Sequence, residues 1–216
     1  MKNISIIDYG INNLKSVSKA FEKIKKDATI INTPEQVLSA ECLVLPGIGA
    51  FGDGMDELQK RNLIEPIKQQ VAAEVPLLGI CLGMQMLFTE SEEFGIHKGL
   101  NIIEGRVVPF PGPSSVNLKD YKVPHMGWDT LNLPDDTKWS ATPLQYIQEG
   151  DEVYFVHSYF PILTNHKYIL ATTTYGNQEF CSVVKKNNIF GTQFHPEKSG
   201  QVGLSILRAF CEVNGL

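Results

Sequence analysis

Val75-Pro76-Leu77-Leu78-Gly79-Ile80-Cys81-Leu82-Gly83-Met84-Gln85-Met86-Leu87-Phe88 is the stretch on which the fold of this chain turns. It opens as an apolar run of strand length and breaks at a glycine. After Cys81 it continues with good helix formers, with Leu82, Met86 and Leu87 at helical spacing. Gly79-x-Cys81-x-Gly83 reads as a nucleophile elbow: strand, sharp turn and helix, with the reactive side chain at the apex. Glycines flank the apex because the turn crowds its neighbours and a Cβ there would clash. A thiol at a helix N-terminus sits in a positive local field, which favours the nucleophilic thiolate. The same stretch also fits an inert cysteine buried on a core strand, where most unpaired cysteines sit. Taken alone, it leaves both readings open.

Before the elbow, strand and helix patterns alternate. Ile4 to Ile7 is a short β-branched run ending at Asp8-Tyr9-Gly10. Asn12 or Asn13 then caps a helix whose Leu14, Val17, Phe21 and Ile24 share one face. Ala28 to Ile31 is a second strand, and Thr33-Pro34 opens a short helix with its cap and N1 proline in preferred places. Cys42 to Leu45 is a third strand and runs into Pro46-Gly47-Ile48-Gly49-Ala50-Phe51-Gly52-Asp53-Gly54. Helical stretches follow around Met55 to Lys60 and Leu63 to Ala73. This alternation predicts βαβ units, hence an α/β fold with a central, mostly parallel sheet and helices on both faces. Ligands of such sheets gather at the carboxyl ends of strands, where the Pro46–Gly54 loop and the Cys81 turn both fall. That loop lacks a P-loop lysine and dinucleotide-fingerprint spacing, so it suits a backbone that approaches a substrate closely or flips.

After the elbow the texture changes. β-rich runs at Ile102–Phe110, Tyr121–Val123, Val153–Tyr159 and Tyr168–Thr174 alternate with turn-rich segments, which predicts antiparallel strands added to the sheet. Pro111-Gly112-Pro113-Ser114-Ser115 reads as an exposed loop. The chain closes with a strand at Ile189–Gln193, a loop from Phe194 to Gly200, and a helix whose Val202, Leu204, Ile206, Leu207 and Phe210 pack on the sheet. No repeat or long linker divides the chain, so residues 1–216 are expected to form one domain.

The formal charge of −5, with no basic block, argues against nucleic acid as a partner. Cys42, Cys81, Cys181 and Cys211 lie far apart, so they read as reduced thiols, not as a disulfide frame or a zinc site. The chain enters a strand at once, with no leader, and no stretch is long enough to span a bilayer. A soluble, cytoplasmic enzyme without membrane, metal or cofactor is the expectation.

His195-Pro196-Glu197 supplies the second chemical element. A histidine at a strand end can turn its ring toward a neighbouring strand's cysteine. A glutamate two residues on can hold the far ring nitrogen, and the proline stiffens the link. Alone, the tripeptide suits a surface turn; joined to the elbow cysteine it completes a Cys81–His195–Glu197 triad. His97 and His166 lie in polar, turn-like surroundings and read as solvated. His125 and His157 lie beside apolar residues and read as structural histidines. No two histidines show metal-ligand spacing. Met126 and Trp128, in Pro124-His125-Met126-Gly127-Trp128, fit a core or an interface anchor equally well.

With these motifs in place, the chain resembles the class I (triad) glutamine amidotransferases, whose flavodoxin-like fold it is expected to share. Asp8-Tyr9-Gly10 with Asn13-Leu14 and Ser16, Pro46 to Phe51, Pro124 to Trp128, Phe155 to Tyr159, and Gln193 to Ser199 are similar to the glutaminase subunits of imidazole glycerol phosphate synthases. The resemblance runs from the first strand to the last helix. It implies that Cys81 attacks the carboxamide of glutamine while the N–H groups of Ile48 and Leu82 form the oxyanion hole. It also implies that His195 moves protons with Glu197 orienting it, and that Gly49, Gln85, Ser158 and Tyr159 hold glutamine. The implied partner is a (β/α)8-barrel cyclase, in a heterodimer, that consumes the ammonia. Met126, Trp128 and Tyr154 are interface candidates, and Asn13 and Lys198 are candidate carriers of an activation signal. Gly47 and Gly49 around Ile48 suit a strand that turns an N–H into or out of the oxyanion hole, one donor being worth roughly 2.7–4 kcal/mol of transition-state stabilisation. Alternative readings are a glutaminase for another synthase such as anthranilate synthase, a stand-alone γ-glutamyl hydrolase, or a non-enzymatic subunit that has kept the fold.

Overall fold

A computed structural model describes residues 3–11, 13–111, 122–135 and 137–216. The first half runs β1 (Ile4–Ile7), α1 (Leu14–Lys23), β2 (Ala28–Ile31), α2 (Pro34–Leu38), β3 (Leu43–Gly47), α3 (Phe51–Lys60), α4 (Ile64–Ala72), β4 (Leu77–Cys81) and α5 (Leu82–Gln85). Then come β5 (Phe88–Ser91), β6 (His97–Lys98), β7 (Ile103–Pro109), β8 (His125–Thr130), β9 (Glu152–His157) and β10 (Tyr159–Leu163). The chain ends with β11 (Ile169–Tyr175), β12 (Gln178–Lys186), β13 (Ile189–Thr192) and α6 (Gly200–Val213).

The main sheet has seven strands in the order β11-β12-β13-β4-β3-β1-β2. From β13 to β2 every pairing is parallel, while β11 and β12 run antiparallel at one edge. Parallel strands covered on both faces must be apolar on both, and alternate residues then serve different layers. Ile4, Ile6, Val44, Leu78 and Ile80 pack with Val17 and Phe21 of α1 and Ile206, Leu207 and Phe210 of α6. Ile7, Leu43, Leu45 and Leu77 face the other way, onto Val37 of α2, Met55 and Leu58 of α3 and Ile67 of α4. The expected α/β sheet with helices on both faces is the one observed.

The added strands differ from the expectation. Only β11 and β12 extend the main sheet; β10-β7-β5-β6 form a separate four-stranded sheet, and β8 pairs with β9 alone in a two-stranded ribbon. The single run expected over Val153–Tyr159 is split at Ser158, where the chain leaves β9 to enter β10. Within the run expected at Tyr121–Val123, Tyr121 lies outside the described residues and Lys122 and Val123 are not in a strand. Asn12 and the residues 112–115 of the expected loop also lie outside them. Strands β5, β6, β8 and β12 were not anticipated. Helix α3 begins at Phe51 rather than at Met55, because its free first-turn N–H at Phe51 is met by the Glu93 carboxylate at 2.7 Å. Thr33 forms the expected cap, accepting from the Gln36 N–H at 3.3 Å while Gln36 Oε1 accepts from the Thr33 N–H at 3.2 Å. Asn13 occupies the N-cap position of α1 but makes no side-chain cap bond.

The elbow is tighter than its sequence suggests. Helix α5 is a single turn of four residues, and the chain re-enters a strand at Phe88. So short a helix contributes little macrodipole, and the local field at Cys81 rests on the first N–H groups of the turn. Cys81 itself has φ 53° and ψ −110°, a left-handed conformation that costs a non-glycine residue on the order of 1–3 kcal/mol. A Cβ on Gly83 would overlap the Leu45 carbonyl oxygen of β3, and one on Gly79 would stand 2.9 Å from the Gly83 oxygen and from Met84 Cα. Both obstacles are backbone, which cannot swing aside. Gly83→Ala is therefore expected to lose at least the ~1–3 kcal/mol typical of an overpacked core. Urea unfolding would reveal it as a lowered midpoint at constant slope, and an unchanged midpoint would contradict this packing.

Candidate active site

Register brings the chemistry together. Strand β4 lies between β3 and β13, with Cys81 opposite Gly47 on one side and Ile80 opposite Thr192 on the other. The loop after β3 therefore reaches the elbow from one flank and the loop after β13 from the other. A cavity of about 330 Å³ opens there, and its lining includes Ile48, Gly49, Cys81, Gln85, Tyr159 and His195. Leu82 and Ser158 also line it, so every proposed nucleophile, oxyanion and glutamine residue meets this one space. A larger hollow of about 560 Å³, beside Lys68, Asn188 and the start of β13, lies at the opposite end of the strands and contains no nucleophile.

Glu197 stands behind the ring of His195, outside the cavity. Its Oε1 lies 2.7 Å from His195 Nδ1, with the two side chains 0% and 2% exposed. A short turn over Pro196–Lys198 sets this geometry, and Ser199 Oγ fastens it by donating to the His195 carbonyl at 2.7 Å. Asn13 Nδ2 donates to the same Glu197 oxygen at 3.3 Å, which is why that side chain does not cap α1. Burial disfavours a charged imidazole, but the nearness of Cys81, the hydrogen bond to Glu197 and the charge of both outweigh it and raise the His195 pKa to about 10. His195 Nε2, buried and facing Cys81, meets no hydrogen-bond acceptor of good geometry among the described residues. Catalytic contacts of this kind commonly tighten once substrate is bound. The Cys81 sulfur is approached at 3.8 Å by the amide nitrogen of Gln193.

The Ile48 side of the cavity is held by Tyr9. Its ring is fully buried, and its hydroxyl donates to the Pro46 carbonyl at 2.9 Å, fixing the strand just before Ile48. Gly47 leaves room for that hydroxyl and for Leu82. Gly49 has φ +90°, a conformation available to glycine at little cost. Burial, reinforced by Cys81, pushes the Tyr9 pKa far up, so the phenol stays a hydrogen-bond donor.

On the glutamine side, the amide nitrogen of Gln85 is already committed. It donates to the Tyr159 carbonyl at 2.9 Å and to Gln193 Oε1 at 3.0 Å, leaving its own oxygen for the cavity. Sequence reasoning missed three residues here. Glu93 brings a carboxylate into the lining, its pKa raised by burial against the bond from the Phe51 N–H. Gln193 is fully buried beside the sulfur. His157, buried as expected for a structural histidine, also lines the cavity. The acidic pair Glu92-Glu93 reads locally as a solvated turn, and only the fold of the β5–β6 connection carries it to the elbow.

The interface candidates lie on the outer side of the ribbon. Met126 is 62% and Trp128 51% exposed, which resolves their open reading in favour of the surface. Trp128 meets the Tyr154 ring edge-on at 6.0 Å, and Lys198 Nζ lies over the other side of that system, 5.9 Å from the Tyr154 centroid. His166 is exposed, whereas His97 is half-buried rather than solvated. Among the described residues no cluster of histidine, cysteine or carboxylate could hold a metal ion, and no helix is long and apolar enough to cross a membrane.

Known proteins share both sequence and architecture. The profile of the family "Glutamine amidotransferase class-I" matches residues 5–213. "Imidazole glycerol phosphate synthase subunit HisH" of Syntrophotalea carbinolica is 51% identical over 207 residues, covering 96% of this chain and 98% of that protein. Its namesake from Geobacter sulfurreducens is 47% identical over 213 residues, with 99% and 100% covered. Among solved structures, a glutamine amidotransferase superposes with a TM-score of 0.71 at 15% identity over 99% of both chains. PurLQS from Thermotoga maritima superposes with a TM-score of 0.71 at 16% identity, over 98% of this chain and 99% of that one. At those identities the structures speak to fold, and the sequence matches speak to lineage: this chain belongs to the class I glutamine amidotransferases, in the branch of the HisH subunits of imidazole glycerol phosphate synthase.

Proposed function

We propose that this chain is the glutaminase of an imidazole glycerol phosphate synthase, releasing ammonia from glutamine for a cyclase partner in histidine biosynthesis. The carrying observation is a single cavity that holds Cys81 and His195 together, with the buried Glu197 carboxylate 2.7 Å behind the imidazole. Cys81 Sγ attacks the side-chain carboxamide carbon, and the carbonyl oxygen takes the negative charge. The N–H groups of Ile48 and Leu82 receive that oxyanion. His195, protonated in the resting site, gives its Nε2 proton to the departing nitrogen, which leaves as ammonia and a glutamyl thioester. The now neutral ring draws a proton from water, hydroxide adds to the thioester, and glutamate and the thiolate are released. Glu197 keeps the ring oriented and supports its charge in both steps.

Gly49, Gln85, Ser158 and Tyr159 hold the substrate, and Glu93 is the carboxylate placed to take the α-ammonium of glutamine. Residues 1–216 act as one domain, in the cytoplasm, without cofactor. Ammonia set free in water would be protonated and lost, so the product must pass directly to a docked consumer. We assign that role to a (β/α)8-barrel cyclase bound in a heterodimer, seated on the exposed face of Met126, Trp128, Tyr154 and Lys198. An aromatic pair beside a lysine is the composition of an interface centre. Asn13 and Lys198 flank Glu197 and provide the contacts through which the partner reaches the triad.

Cys81→Ala is expected to abolish glutamine-dependent synthesis by the assembled enzyme while synthesis from added ammonium salt continues at its original rate. Retained glutamine-dependent turnover would refute the mechanism. Trp128→Ala is expected to weaken assembly by about 2 kcal/mol or more, roughly thirtyfold in Kd, with the thermal midpoint of the isolated chain nearly unchanged. Titration calorimetry against the cyclase would measure the loss, and equal affinities would return Trp128 to an incidental surface position.

A further inference from the structure

Behind the glutamine side of the cavity, three side chains form a line that the triad mechanism does not use. Asp129 Oδ2 lies 2.8 Å from His125 Nε2, His125 Nδ1 lies 3.1 Å from His157 Nε2, and His157 Nδ1 lies 2.9 Å from the Tyr159 carbonyl oxygen. A carbonyl can only accept, so His157 carries its proton on Nδ1 and presents a bare Nε2. His125 must then donate from Nδ1. An ionised Asp129 also only accepts, so the last contact needs a proton on His125 Nε2 as well. Three contacts require three protons, whereas two neutral imidazoles and a carboxylate supply two. With Asp129 ionised, the line is complete only with an imidazolium at His125, and with two protons one contact sets acceptor against acceptor.

The surroundings of His125 act on that cation in opposite directions. Its ring is sandwiched between Tyr175, stacked at 4.0 Å, and Phe155, stacked at 4.8 Å, whose faces attract positive charge. Burial pushes the His125 pKa below its ordinary value, with Asp129 opposing it. Burial also drives His157 down to about 3, so His157 is the neutral member. Among the described residues, the titratable groups facing the line are Asp129 of β8, Tyr175 of β11 and His195 of the triad loop. At its inner end, the Tyr159 carbonyl receives both His157 and Gln85, two residues of the cavity wall.

We propose that Asp129, His125 and His157 are a positioning relay for the glutamine pocket, holding the Ser158–Tyr159 segment firmly only while the relay carries three shared protons. The reading rests on the glutaminase assignment for its effect on substrate, though not for its proton count. As pH rises and the third proton leaves, one of the two His125 contacts is lost, His157 is backed less firmly behind Tyr159 and glutamine is bound less well, with the chemistry of Cys81 untouched.

Asp129→Asn tests the count directly. An asparagine amide can donate to a neutral His125 Nε2, so this variant makes all three bonds without the extra proton. The ratio of wild-type to Asp129→Asn KM for glutamine, measured on the assembled enzyme from about pH 5 to about pH 9, is expected to climb roughly three- to tenfold. The corresponding kcat ratio should stay flat. Effects of the triad and of glutamine's own ionisation cancel in both ratios. Ring-nitrogen NMR of the isolated wild-type chain gives a reading that needs no activity. His157 should hold its proton on Nδ1 throughout, and His125 should pass from two protons to one as pH rises. A pH-independent KM ratio, or His157 protonated on Nε2, overturns the relay. If the wild-type complex hydrolyses no glutamine, the glutaminase assignment fails, and the ring-nitrogen spectrum still decides the proton count.

Discussion

The backbone of Cys81 is the constraint on which the rest of the molecule depends. A side-chain-bearing residue held at φ 53° stores strain that must be balanced by its surroundings. The balance comes from β4, whose Leu77 to Ile80 are almost wholly buried between two helical layers, and from Gly79 and Gly83, which let the turn close against β3. Burying one large aliphatic side chain contributes about 1.5–3 kcal/mol. Leu77, Leu78, Ile80 and their neighbours therefore outweigh a single strained position. The thiol is lifted out of the sheet edge and into a cavity because that trade is favourable.

Strand order does the remaining work. Because β3 and β13 are the two neighbours of β4, residues more than a hundred positions apart in the chain converge without any dedicated scaffold. Parallel pairing puts all three carboxyl ends at the same edge, so whatever follows each strand meets there. The oxyanion strand is pinned from beneath by a buried phenol, Tyr9, and the histidine from behind by a buried carboxylate, Glu197. Each anchor is wholly protein-enclosed, where a hydrogen bond positions its partner without competition from water. Glu197 Oε2 and His195 Nε2 are the buried polar atoms of the pair left without a hydrogen-bond partner among the described residues.

How far the sequence could reach follows from the range of each interaction. The elbow was legible because its glycines, cysteine and strand lie within a few residues and serve local sterics. His195-Pro196-Glu197 was legible for the same reason, since the ring and its carboxylate are only two positions apart. The parallel sheet was legible from alternating patterns. Glu93 was not, because its arrival depends on the path of the β5–β6 connection. Nor was the pairing of His125 with His157, which is created by the register of β8 against β9. Met126 and Trp128 sit next to His125 in sequence yet point outward, an alternation that could be read only once their segment was known to be a strand. The helix after Cys81 was overestimated because Leu82 to Leu87 have good helical propensity, while tertiary pairing of Phe88–Ser91 with β7 ends the helix after one turn.

The β8–β9 ribbon joins the two halves of the functional argument. Among the described residues its strands pair only with each other; its ties to the main sheet include Thr173 Oγ1 of β11, which donates to the Thr130 carbonyl at 2.9 Å, and an isolated bridge from Asn132 to Thr172, just beyond β8. Its outward side carries Trp128 against Tyr154. Its inward backbone holds the triad: the His195 N–H donates to the Tyr154 carbonyl at 3.0 Å, and the Tyr154 N–H donates to Ser199 Oγ at 2.9 Å. Tyr154 thus turns its ring outward beside Trp128 and gives both its backbone groups to the loop that carries His195. The same ribbon ends at His157, one residue from the glutamine wall. The outward Trp128–Tyr154 pair, the Asp129–His125–His157 line and the loop of His195 are consequently three edges of one small two-stranded unit, so a displacement of that unit is felt both on its outer surface and at His195.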